Sequence, residues 1–264
     1  MNDSAWQGEL DLVLTQHPSH QSHIHNSHKT VLSHSRAIAP YRVQRAFENP
    51  DGSCQVVMLH TAGGMVSGDR LVAKIRVEAR AQALLTTAAA GKIYRSTGKQ
   101  TQQRTHITVG TDARLEWLPQ ENIIFDGAEF RQSLHIDLAE GATALIWEVT
   151  RLGRTAQGER FVQGDWRSQT EVYRQGKPLW IDRQWLPASE ALWQSPHGLA
   201  GQPIVGTIAW VGQAVTPEQL QHIRDAAQVN FGADQNWGLT RLPEGIVGRY
   251  RGNSSQAVRQ GFLE

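Results

Sequence analysis

Three segments in the middle of the chain repeat one pattern. Ile75-Arg-Val77, Ile107-Thr-Val109 and Ile136-Asp-Leu138 are each followed, after three residues, by Ala81-Gln-Ala83-Leu-Leu85, Ala113-Arg-Leu115-Glu-Trp117 and Ala142-Thr-Ala144-Leu-Ile146. The segments superimpose with offsets of 32 and 29 residues. Each unit is a pair of short alternating strands joined by a turn, and it leaves an apolar face that only a neighbouring copy can cover. A repeat of this length therefore predicts stacked coils, a β-helix-like solenoid. Hairpins of an ordinary β-sandwich could produce the same alternation, and that remains the competing architecture.

The rest of the chain reads the same way as far as residue 211. Short alternating or β-branched runs separated by Gly, Asp and Asn predict strands at Glu9–Leu14, Ser53–His60, Ala73–Val77, His106–Val109, Arg114–Leu118, Leu134–Leu138, Thr143–Val149, Ser168–Tyr173, Leu179–Trp185 and Ile204–Val211. The 24 glycines and nine tryptophans suit a turn-rich β protein better than a helical bundle. Helical signals begin only afterwards. Thr216-Pro-Glu-Gln219 supplies an N-cap, a proline at the first helical position and a glutamine three residues after the cap, predicting a helix from Pro217 to about Val229. Asn253-Ser254-Ser255 reads as the cap of a second, short helix. The expectation is an all-β fold, a β-solenoid body over residues 8–211 with one or two C-terminal α-helices in 212–264, all within a single domain.

Charge and cysteine usage narrow the function. The net charge is +1, so no overall field draws the chain to nucleic acid or an anionic membrane. Cys54 is the single cysteine, which excludes an internal disulfide and a cysteine-rich zinc site and fits a reducing, cytoplasmic compartment. No apolar run reaches the ~20 residues of a membrane span, and the first residues lack the basic start and apolar stretch of a signal peptide.

Several local constellations invite chemistry. His17, His20, His23, His25, His28 and His34 crowd one segment. Neutral imidazoles bind nickel, zinc and copper, but a tract of this kind specifies no geometry, so weak metal capture stands beside a merely polar insertion between two strands. His60-Thr-Ala-Gly63-Gly64-Met-Val-Ser67-Gly68-Asp69 reads as a tight corner or a backbone nest. It is not a P-loop, since Asp69-Arg70 stands where Lys and Ser or Thr are required, and Ser67 falls one residue late for a nucleophile elbow. Lys92, Tyr94 and Arg95 follow a small-residue run and are either a partner-facing edge or a solvated one. Glu148 and Asp182 sit within apolar strands. Outward they are unremarkable; inward each needs a partner, water or a cation, and would mark a polar passage. The chain carries no HExxH, no CxxC and no convincing Ser/His/Asp set.

Taken together, Tyr41-Arg-Val-Gln-Arg45-Ala-Phe47, Gly63-Gly64 to Gly68-Asp69, Thr86-Thr87 through Lys92-Ile-Tyr94-Arg95-Ser96, Leu115-Glu-Trp117-Leu-Pro119-Gln120-Glu121, Phe125-Asp-Gly127-Ala128 and Arg151-Leu-Gly153-Arg154 with Gly158-Glu159 resemble the urease accessory protein family UreD, also called UreH. They occur in family order across residues 8–250. The resemblance implies a β-solenoid with C-terminal helices that is a scaffold and metal conduit and not an enzyme. Its implied partners are the helical accessory protein UreF, the GTPase UreG and the apo-urease subunits. Nickel is implied as cargo in transit, with no tightly bound cofactor. The resemblance further implies an internal tunnel with acidic positions at Asp69, Glu148 and Asp182, and weak carboxylate sites suit an ion that must move on. Arg70 departs from relatives that carry a second carboxylate beside Asp69, and the histidine-rich insertion is not a general family trait. The family pattern continues past Val258 with a longer helix and tail, so a shortened C-terminal part is expected here. The alternative function is an interaction module that assembles partners, through Tyr94 and Arg95 among others, without touching metal.

Overall fold

A computed structural model describes residues 5–18, 28–232 and 236–263. The repeat is realised as a ladder. Leu12, Ile75, Ile107, Ile136 and Val172 stand in register on adjacent parallel strands, and Val77, Val109 and Leu138 occupy the next inward position. Ala83, Leu115 and Ala144 form the matching ladder on the opposite sheet, followed by Leu85, Trp117 and Ile146. The four isoleucine and valine rungs from Ile75 to Val172 are at most 1% exposed. Each coil covers the apolar edge of the last, which is why none of the repeats needs a complete core of its own.

The turn between the two strands of each coil also repeats. Arg80, Asp112 and Gly141 all take the left-handed conformation, two residues ahead of Gln82, Arg114 and Thr143, where the second strands begin. At Gly141 the conformation and the crowding act together: a Cβ there would sit 2.0 Å from the Asp112 Oδ1 of the coil beneath.

Two sheets result. The first runs Lys177–Pro187, Gly164–Arg174, Ala128–Leu138, Thr101–Val109, Arg70–Val77, Gln7–Pro18 and His28–Ile38, parallel in its centre and antiparallel at both edges. The second runs Asn236–Leu242, Gly245–Gly252, Ile204–Val211, Thr143–Leu152, Arg114–Trp117, Gln82–Thr87, Cys54–His60 and Tyr41–Val43. Short parallel strands at Gly91–Ile93 and Asn122–Ile124 extend this second sheet alongside the far half of Thr143–Leu152. The solenoid expectation holds and the sandwich alternative falls, because hairpins would give antiparallel neighbours where these ladders are parallel.

The predicted strands all appear, most of them longer, and Ile204–Val211 appears with its expected bounds. The helix Pro217–Phe231 is capped as its sequence indicates: Thr216 Oγ1 accepts from the Gln219 amide and the Gln219 side chain accepts from the Thr216 amide. Ser255–Leu263 forms the last helix. It is fastened to the solenoid by Arg259, which donates to Gln120 and Glu121, and by Ser255, which donates to Glu121 and accepts from Arg151. The hairpin Asn236–Gly252 lacked a clear sequence signal; its strands are interrupted by Gly238 and Gly248 and carry Arg241, Arg249 and Arg251, and its buried face is made by Trp237, Leu239 and Tyr250 packing against Phe231 and the last helix.

Candidate functional site

Where the two sheets separate, inward positions turn from apolar to polar. Gln103, Gln132, Ser168 and Gln184 are register partners across the first sheet. Facing them, Glu148, Thr207 and Arg249 are register partners across the second. An enclosed polar side chain must find partners, and these find one another. Asn122 donates to Gln132 at 2.8 Å, Gln132 donates to Glu148 Oε1 at 3.0 Å and to Ser168 at 2.9 Å, and Ser168 donates to Glu148 Oε2 at 3.0 Å. A second set stands in register beside the first and is felt by Glu148 through the Asp182 charge: Gln184 reaches Thr207 at 3.3 Å and Asp182 Oδ2 at 2.9 Å, and Arg249 donates to Asp182 Oδ1 at 2.7 Å.

Glu148 also lines a cavity of about 280 Å³ that extends past Gln132, Gln103, Trp117 and Met65 to His60. The space holds several water molecules. Glu148 is enclosed by protein yet only half-buried to water, because the surface it shows faces this cavity. Burial pushes its carboxyl up to about 7; the hydrogen bond from Ser168 opposes the rise and the nearby Asp182 charge reinforces it. At the other end His60 has its Nε2 enclosed without a hydrogen-bond partner. Burial lowers the His60 pKa, with the Asp69 charge opposing, so the ring favours its neutral form.

The three acidic positions therefore occupy different settings. Glu148 lines the cavity and Asp182 lies in the second set, 7% exposed and paired with Arg249. Arg183, its chain neighbour, points to the other face and meets Glu171. Asp69 is fully buried but is not among the cavity-lining residues; one oxygen accepts from the Trp6 amide and the other from the Val66 amide, both at 2.8 Å, which closes the glycine corner. Tyr94 and Arg95 lie together just past the short strand Gly91–Ile93. Tyr94 packs edge-on against Phe125 with ring centroids 4.8 Å apart, Arg154 covers the Phe125 ring at 4.5 Å, and Arg95 is exposed and pairs with Asp126 at 3.3 Å. His17, His28 and His34 are exposed on the hairpin Gln7–Ile38, where His17 stands opposite Lys29 and His28 opposite Pro18. His20, His23 and His25 lie outside the described residues.

Two features escaped the sequence reading. Arg249 comes from the undetected hairpin, 67 residues from Asp182. A cluster of His106, His135 and Asp137 lies on the outer face of the first sheet. Its signal was present, since His106 and His135 immediately precede the repeat isoleucines.

Fold and cavity together define a class: a parallel β-solenoid with a cavity between its sheets, largely apolar in its lining, into which Glu148 presents a carboxylate. The sequence profile of the UreD urease accessory protein matches residues 7–264. The chain is 50% identical over 262 residues to the urease accessory protein UreD of Acaryochloris marina, covering 99% of this chain and 89% of that one. It is 51% identical to UreD of Trichormus variabilis over 262 residues, 98% and 88% of the two chains, and 49% identical to UreD of a Nostoc species over 259 residues, 97% and 88%. The chain belongs to the UreD family of urease accessory proteins, which are accessory proteins and not enzymes. Among the described residues no helix is long and apolar enough to cross a membrane.

Proposed function

We propose that this protein serves urease maturation as a scaffold and a hydrated conduit for nickel, acting in the cytoplasm with UreF, UreG and the apo-urease subunits. The observation that carries the reading is Glu148: a carboxylate facing a cavity of about 280 Å³ between the sheets, with its pKa brought to about 7. Near neutral pH such a group exchanges a proton for a cation at small cost, and one carboxylate with few further ligands holds a divalent ion only weakly. The neutral His60 at the opposite end of the chamber offers a nitrogen donor. Asp182 is engaged by Arg249 and Gln184 and acts chiefly through its field on Glu148, while Asp69 serves the corner at residues 63–69. The exposed histidines of the first hairpin would gather the ion at the surface.

The test is the nickel content of urease purified from cells that carry the complete urease gene set with either the native chain or Glu148→Gln. Nickel per urease should fall while co-purification of the accessory proteins is unchanged; unchanged nickel loading sinks the conduit reading. A second reading, an assembly module that never touches metal, is favoured by the Tyr94, Phe125, Arg154 and Arg95 corner, which combines a packed aromatic base with exposed guanidinium. On that reading Arg95→Ala weakens the complex and Glu148→Gln is silent.

A further inference from the structure

We propose that the outer face of the seven-stranded sheet carries a divalent transition-metal site formed by His106, His135 and Asp137. This site is separate from the chamber, on the opposite side of the same strands. His106 and His135 are register partners on the adjacent parallel strands Thr101–Val109 and Ala128–Leu138. Asp137 follows His135 by two residues and so shares its face. The three side chains converge: Asp137 Oδ2 is 2.8 Å from His106 Nε2, and Asp137 Oδ1 is 3.3 Å from His135 Nε2. One potential ligand atom from each lies within 4.8 Å of the others.

The neighbours hold this set in place. The His135 ring stacks on Tyr173 with centroids 5.2 Å apart, and its Nδ1 lies 3.8 Å from Glu171 Oε2. Glu171 is itself held by Arg183 at 2.9 Å and Gln169 at 2.6 Å. A carboxylate beside the non-ligating nitrogen is the usual outer support of a metal-binding histidine, since it selects the tautomer that leaves Nε2 free to bind. The His106 ring, with half its side-chain surface in water, can close the remaining gap to bonds near 2.1 Å by a small rotation, on the order of 1 Å. Lys74 stands in register beyond His106 on the next strand and is the nearest cation on this row; Asp11 follows it.

Two imidazoles and one carboxylate select nickel, zinc or cobalt over magnesium and calcium, which require mainly oxygen ligands. Three protein ligands on an open face leave the remaining positions to water, so the ion binds reversibly. Binding replaces the imidazole–carboxylate contacts with bonds to the ion and involves no change of oxidation state.

Calorimetric titration of the full-length chain with NiCl2 and with ZnCl2 tests the assignment. The reference is a variant with His17, His20, His23, His25, His28 and His34 changed to Asn, which removes competition from the histidines of that segment. This reference should bind one equivalent of either metal, unaffected by millimolar magnesium. Adding His106→Asn, or separately Asp137→Asn, should weaken that equivalent by about tenfold or more. Cobalt(II) should give visible bands in the reference that are lost in both further variants. The proposal is overturned if the reference binds neither metal, or if binding and cobalt bands are the same with and without His106→Asn and Asp137→Asn. His106 and Asp137 are both partly exposed, and thermal unfolding of each variant at the reference temperature shows that loss of binding is not loss of fold.

Discussion

The same three parallel strands, Thr101–Val109, Ala128–Leu138 and Gly164–Arg174, carry a polar row on each face, and the two rows behave oppositely. The inner row, Gln103, Gln132 and Ser168, faces Glu148 across the chamber. The outer row, His106, His135 and Glu171, faces away from the chamber, with His106 exposed and His135 and Glu171 partly covered by their neighbours. Burial raises the Glu148 carboxyl to about 7, whereas the hydrogen bond from Arg183 lowers that of Glu171. Two glutamates of one composition are thus given different chemistry by the layer that lies over them. The one beside the cavity is poised to exchange a proton near neutrality, and the one on the outer face, paired with Arg183, stays charged beside a histidine.

Substitutions on the two faces should separate in magnitude. The largest effect belongs to the inner ladder: Ile136→Ala removes a fully buried side chain between Ile107 and Val172 and should cost about 3–4 kcal/mol in a denaturant titration. A loss under 1 kcal/mol would mean that adjacent coils close the gap and that the ladder is less rigid than its burial indicates.

Glu148 comes next and has a pH signature. Its folded-state pKa is raised, so the folded chain holds the proton where the unfolded chain releases it. Its contribution is present in full below the ordinary carboxylate value near 4.5 and is lost as pH rises through about 7. Relative to Glu148→Gln, the native chain should therefore lose roughly 2–3 kcal/mol between pH 4 and pH 8. Parallel stability curves for the two proteins would show that Glu148 is solvated well enough to stay charged.

Arg249→Met tests the ion pair in the neighbouring polar set. It leaves the Asp182 carboxylate buried with Gln184 as its remaining side-chain partner. Breaking a fully buried pair costs more, but Arg249 is itself 47% exposed, so a loss of about 2 kcal/mol is expected in a urea titration. Arg249→Met with Asp182→Asn should recover part of it, and no recovery would locate the cost elsewhere.

The smallest effect lies outside. Arg183→Ala removes the partner of Glu171 on the open face and should change stability by under about 0.5 kcal/mol. The lowered pKa of Glu171 means that whatever this pair contributes is present above the ordinary carboxylate value and fades as pH falls through the folded one, which NMR titration of Glu171 would follow directly.

The core of the fold was legible because its rules are local or repeat at one period. Ile75, Ile107 and Ile136 announce three coils by spacing alone, and Thr216 with Gln219 announces a helix start within four residues. The site was half legible. Glu148 and Asp182 are conspicuous as acids in apolar strands, but period two assigns a side chain to a face without saying which face is covered. Asp69 joined them only through the family resemblance, and its two amide hydrogen bonds belong to the tight corner that its neighbouring glycines announce.

By itself, then, the sequence determined the stacked coils, the turns between them and the caps of the helix Pro217–Phe231, because alternation, turn chemistry and capping act over a few residues or one coil. Only the tertiary structure decided that Arg249 answers Asp182 and that a chamber opens before Glu148. It also decided that His106, His135 and Asp137 meet. The parallel register sets residues far apart in the chain about 4.8 Å apart on neighbouring strands, and the opposite sheet settles whether the row they form meets protein or water.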